Sequence, residues 1–207
     1  MNKTASYLPV AARPRGRPRE FDMDKALDQA IRVFSEHGYH ATSIGDLIDA
    51  MGLASGSIYK AFRDKRAVFL AAFDRYKSLR NDKVDRAART AKSGRERLRD
   101  VLALYADSSR GAEGRRGCLV VGCAVELATV DREVAARVNG SLARNEVFLA
   151  DLIRQGQADK SISVRIDPDQ TARVLVCLTQ GMRVVGKAGR PPPETSLTVD
   201  IAMKLID

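Results

Sequence analysis

Residues 43–62 read SIGDLIDAMGLASGSIYKAF, and the fold is decided here. Ile44, Leu47, Ile48 and Met51 recur at i, i+3, i+4 and i+7, which places one apolar stripe on a first helix. Thr42 or Ser43 can cap its start, and Asp46 stands three residues after Ser43, the spacing of a capping box. Gly52 follows the last apolar residue, where a helix needs a left-handed residue to stop. A second helix starts near Ser55 and turns Ile58 and Phe62 inward. Its other face carries Ser55, Ser57, Tyr59 and Lys60, a surface suited to phosphates and base edges. Periodicity alone fits an ordinary helical hairpin with a polar outer face equally well.

The flanks separate the two readings. Gly38-Tyr39 precedes Thr42-Ser43-Ile44, Met51-Gly52-Leu53 and Gly56-Ser57-Ile58-Tyr59 follow, and Phe62-Arg63-Asp64-Lys65 closes the set. Held at this spacing, these elements closely resemble the DNA-binding half of the tetracycline-repressor (TetR) family of transcriptional regulators, over about residues 20–76. Two positions depart from that pattern. Arg66 stands where the family commonly has an acid, which adds a phosphate contact or only surface charge. Ile48 stands where a small residue is usual, which would open the packing of the two helices slightly.

The resemblance implies an all-α fold of about nine helices. A three-helix, helix-turn-helix head would span residues 20–76, and a larger ligand-binding and dimerisation body residues 77–207. It implies a homodimer, a palindromic double-stranded DNA operator, a small-molecule effector and no cofactor. Thr42, Ser43, Tyr59, Lys60 and Lys65 would anchor phosphates, while Ser55, Gly56 and Ser57 approach base edges.

Before the head, residues 1–19 read as a disordered basic arm interrupted by Pro9, Pro14 and Pro18. Its Arg-Gly-Arg-Pro core is similar to the AT-hook, which would bring Arg15 and Arg17 into a narrow minor groove. The alternative is a solvated tail with general phosphate attraction.

The 207 residues carry a formal net charge of +9, which permits attraction to nucleic acid or anionic membrane. No apolar run is long enough for a transmembrane helix, and the basic N-terminus lacks the apolar region of a secretory signal. The three cysteines and two histidines lack metal-ligand spacing, and a reducing cytoplasm is expected.

In the body, residues 77–93 are expected to extend the fourth helix as an exposed linker. Leu98, Val101, Leu102 and Tyr105 mark a fifth helix, and Gly111 to Gly117 reads as a loop. CLVVGCAVELA, residues 118–128, reads as a buried helix. A long helix follows over about 131–156, another opens at Asp167-Pro168, and a last one opens at Glu194 or Thr195. Small residues Ala172, Thr179 and Gly181 would permit close helix approach between two copies. Candidate pocket residues are Leu102, Tyr105, Cys118, Glu126, Phe148 and Met182, each of which also fits plain bundle core. Cys118, beside Arg115 and Arg116 at a helix start, has the surroundings of a redox-sensing thiol, or is a small buried residue.

No nucleophile elbow, metal-ligand set or dinucleotide fingerprint is present, so enzymatic function is not expected. The remaining rival is an architectural DNA binder that uses the same basic arm with little sequence preference.

Overall fold

The computed structural model describes residues 22–89, 93–190 and 194–207. Arg15 and Arg17, and with them the basic arm, lie outside the described residues. The order is α1 (Met23–His37), α2 (Ile44–Met51), α3 (Ser55–Ala61), α4 (Lys65–Arg89), α5 (Gly94–Ser108), α6 (Gly111–Arg116), α7 (Leu119–Glu126), α8 (Arg132–Ala158), α9 (Pro168–Lys187), α10 (Thr195–Met203) and a closing 3-10 turn, Lys204–Ile206. The described chain is all-α. None of its helices is long and apolar enough to cross a membrane.

Local signals set most boundaries. Asp22 caps α1, accepting the N–H of Lys25, and Gly38 ends that helix at positive φ. Ser43 and Asp46 form a reciprocal capping box on α2, and Gly52 closes it in the left-handed region. Asp64 receives the N–H of Ala67 at 2.8 Å and starts α4. Asp167 caps α9, with Pro168 in the first turn where its missing N–H costs nothing.

Two apolar cores result. The first gathers Phe34, Leu47, Ile58, Phe69 and Phe73 from α1–α4, and takes in Leu119, Val120, Cys123, Val134 and Val138 from α7 and α8. Leu47 and Ile58 are fully buried, so truncating either to Ala is worth about 2–5 kcal/mol. Ile48 is accommodated against the same core, half-buried. The second core joins α5, α8, α9 and α10 around Leu98, Leu102, Leu149, Ile153 and Leu175.

The body differs from the sequence reading at three places. The glycine-rich stretch 111–117 forms α6, because tertiary packing overrides propensity: a Cβ on Gly114 would lie 2.2 Å from the Ser109 carbonyl oxygen. The end of α4 is more than an exposed linker, since Val84 is buried in the second core. On α7 only one side is buried, by Leu119, Val120 and Cys123, and Val125 is exposed.

Candidate nucleic-acid interface

The first residues of α3 stand clear of the fold. Ala54, at the N-cap position, offers no side-chain acceptor, so the first N–H groups of the helix face outward unsatisfied by a cap. Ser55 and Gly56 are exposed, Ser57 is half-exposed, and Lys60 is exposed beside Tyr59, which is 54% exposed. A Cβ on Gly56 would meet nothing within 4 Å, so this chain has no steric need for glycine there. Ile58, on the opposite side, anchors the helix in the core. Ser43, on the neighbouring helix, is exposed at the start of α2. Exposed Arg63 extends the cationic edge beyond Lys60 and has no assigned role in the sequence reading.

Two expected phosphate anchors, Thr42 and Lys65, are engaged by the fold. Thr42 is 1% exposed and its hydroxyl donates to the Gly38 carbonyl at 2.6 Å, so it is no surface group. Its side chain ties the turn between α1 and α2. Lys65 Nζ donates to the carbonyls of Tyr39 at 3.0 Å and Thr42 at 2.9 Å, and lies 4.3 Å from the Tyr39 ring centroid. Of the three N–H groups of its ammonium, two are committed to that turn. Tyr39 packs edge-on against Phe69 at 5.0 Å, and burial pushes its phenol pKa up.

Arg66 is more than idle surface charge. Its Nε and Nη2 clamp Asp131 at 2.9 and 3.1 Å, and Nη2 also reaches Glu133 at 2.6 Å. Arg66 and two backbone N–H groups hold the Asp131 carboxyl down to about 2. Asp131 caps α8, so this pair joins the start of α4 to the start of α8. Glu126, expected in a pocket, lines a small cavity with Cys118 and accepts the backbone N–H of Tyr39 at 2.8 Å and of His40 at 2.6 Å. Lys187 Nζ reaches the Ser35 carbonyl at 2.5 Å, at the end of α1. The turn ahead of α2 is thus held from α4 and α7, and the end of α1 from α9.

Of the other pocket candidates, Leu102 and Met182 are buried in the second core, and Phe148 packs against it under Arg144. Tyr105 and Cys118 do line a cleft between α4 and the body, together with Tyr76, Arg80 and Arg183. The Tyr76 hydroxyl donates to Cys118 Sγ at 3.3 Å, and burial pushes the Tyr76 phenol up. Cys123 is buried, which pushes its thiol up to about 12 and makes it inert.

Arg66, Arg80, Arg183 and Lys187 carry these arrangements without having been singled out in the sequence for them. An arginine in a helix reads as surface charge, and only three-dimensional neighbours reveal otherwise.

Comparison with known proteins agrees with this architecture. Residues 26–72 match the model for "Bacterial regulatory proteins, tetR family", and residues 94–194 match "Tetracyclin repressor-like, C-terminal domain". The chain is 32% identical over 183 residues to the HTH-type transcriptional repressor ComR of Escherichia coli (strain K12), covering 84% of each. It is 30% identical over 198 residues to the transcriptional regulator AcuR of Cereibacter sphaeroides, covering 92% of this chain and 88% of that one. Among solved structures, a cysteine mutant of the TetR family regulator CifR, complexed with 26bp double-strand operator DNA, superposes with a TM-score of 0.82 at 26% identity, covering 93% of this chain and all of that one. Built on the same helix-turn-helix head and the same helical body, the chain belongs to the tetR family of bacterial regulatory proteins.

Proposed function

We propose that this protein is a sequence-specific transcriptional repressor, released from a palindromic operator by a small molecule bound in its body, and that it has no enzymatic activity. The observation that carries the reading is α3: a short helix anchored by Ile58 that offers Ser55, Gly56 and Ser57 to a partner without any need of the fold. CifR, of the same fold, is solved on operator DNA. Tyr59 and Lys60 on α3, with Ser43 and Arg63 on its flanks, would anchor phosphates, with the third N–H of Lys65 as a further donor.

Specific recognition by so short a helix calls for two copies, set roughly 34–36 Å or a multiple apart on the duplex. The outer face of α9 supports self-association. Val174, Cys177, Gly181 and Val184 recur at helical spacing and are all exposed. Ala172 and Thr179, expected on that face, are buried in the chain's own core, so Gly181 alone of the three is available.

The role division is testable with two variants measured on operator and on random duplex. Lys60→Ala should weaken both alike and reduce the salt slope by about one. Ser57→Ala should change which base is preferred while leaving the salt slope intact. Equal losses on both duplexes for both variants would contradict the reading.

A thiol-sensing mode has one specific observation behind it, the Tyr76 hydroxyl on half-exposed Cys118 within the cleft. Operator release by hydrogen peroxide that persists in Cys118→Ser would remove it.

A further inference from the structure

The cleft between α4 and the body holds an arginine that the fold does not satisfy. Arg183, on α9, is 2% exposed. Its Nη2 donates to the Gly117 carbonyl at 2.8 Å, while Nε and Nη1 have no hydrogen-bond partner among the described residues. Arg80 enters the same cleft from α4. Its Nη1 bonds the Ser108 hydroxyl at 2.9 Å and Glu113 at 3.3 Å, and its buried Nη2 is likewise unpartnered. A buried guanidinium left short of acceptors is costly, and proteins ordinarily pair it.

The lining gives the missing partner its chemistry. The cleft itself is tight, with about 20 Å³ free, and opens onto an adjoining space of about 310 Å³. Lys77 adds a third cation, and among the described residues no carboxylate lines it. Asp28 and Glu113 line only the adjoining opening, which shares Tyr76, Arg80 and Arg183. Tyr76, Tyr105 and Val120 offer apolar walls, and Gln180 and Asn145 offer neutral hydrogen-bonding groups.

We propose that this cleft binds a small organic monocarboxylate. Its charged head supplies the acceptors that Arg183 and Arg80 lack, and its short apolar part extends past Tyr76 into the adjoining space, against Ile31 and Leu79. This rests on the reading of the protein as a ligand-released repressor, and names the class of that ligand. The cleft is placed to act on the head. Cys118 and Val120 stand at its wall at the start of α7, and Glu126 ends that helix on the turn ahead of α2. The eight residues of α7 span about 12 Å, one rigid element from ligand to head. Lys187, one turn beyond Arg183, bonds the end of α1.

The test uses the purified full-length protein and matched probes: propionate, butyrate and benzoate, each beside its neutral amide, with inorganic phosphate and chloride at equal ionic strength. Thermal melting reads binding without DNA. A carboxylate at a hundredfold its Kd should raise Tm by about 5–10 °C, and its amide should not. Arg183→Met should melt no lower than the parent without ligand, and should lose the carboxylate shift. Should that variant not fold, Arg80→Met and the carboxylate–amide pairs on the parent protein carry the same test. Equal shifts by acids and amides, a shift by phosphate alone, or no shift by any probe would overturn the proposal. Operator binding is read separately: a carboxylate that raises Tm without releasing DNA keeps the site and sinks the repressor-release reading.

Discussion

The Glu126 carboxylate takes the backbone N–H of Tyr39 at 2.8 Å, and its second oxygen takes that of His40 at 2.6 Å. One side chain at the end of α7 thereby fixes the turn that sets the angle of α2 and α3. The same turn is held from the other side by Lys65, through the carbonyls of Tyr39 and Thr42. Any movement of α7 must be felt there.

Replacing Glu126 by Ala leaves two backbone donors unpaired by protein. Hydrogen bonds to a charged group are worth about 1.5–3 kcal/mol each, less where water can replace them. The variant should melt several degrees lower and bind operator more weakly. Its thermal shift with an effector should remain, since the cleft is untouched. Unchanged operator affinity would remove Glu126 from the coupling.

Lys65 and Lys60 should separate cleanly. Lys65→Ala removes two carbonyl contacts and the cation over Tyr39, so it should lower Tm by an amount that Lys60→Ala does not. Circular-dichroism melts of both variants without DNA check this. Equal Tm values would return Lys65 to the surface.

The Arg66–Asp131 link sets an acid limit. The Asp131 carboxyl titrates near 2, below its ordinary 3.8, chiefly because Arg66 bonds the charged form. A depressed carboxylate contributes stability that is complete above the unfolded value and is lost as pH falls through the folded one. The contribution should therefore hold from neutral pH to about 4 and disappear between 4 and 2. Asp131→Asn should flatten that part of the stability–pH curve. An unchanged curve would show that the pair adds nothing to stability.

Gly94 should tolerate no side chain. Its Cβ would lie 2.1 Å from the backbone nitrogen of Gly156, where α5 crosses α8. Gly94→Ala should cost about 1–3 kcal/mol by overpacking, despite the better helix propensity of alanine. A neutral or stabilising result in a denaturant melt would mean the crossing can open.

Much of the head was legible in the sequence because its signals are local. The Ser43–Asp46 capping box, Gly52 and the Ile58 anchor each act within four residues of where they are read. Asp167-Pro168 gave the start of α9 for the same reason. What escaped was pairing at a distance. Helical periodicity tells which side a residue faces, but not that Arg66 meets Asp131 65 positions on, or that Glu126 meets Tyr39 87 positions back. Thr42 has the chemistry of a phosphate anchor, and its residue type does not tell that its hydroxyl is turned inward onto the Gly38 carbonyl. Gly114 made residues 111–117 look like a loop, although the glycine is there to clear Ser109. Arg183 had no signal at all, since a buried cation and an exposed one are the same letter.

The most direct measurement is selection of bound sequences from a random duplex pool by the full-length protein at physiological salt. The account predicts an enriched palindrome, bound by two copies and preferred over random duplex by about 10³-fold or more. Tight, salt-sensitive binding with no enriched sequence would contradict it, and would make this an architectural protein that holds DNA by charge alone.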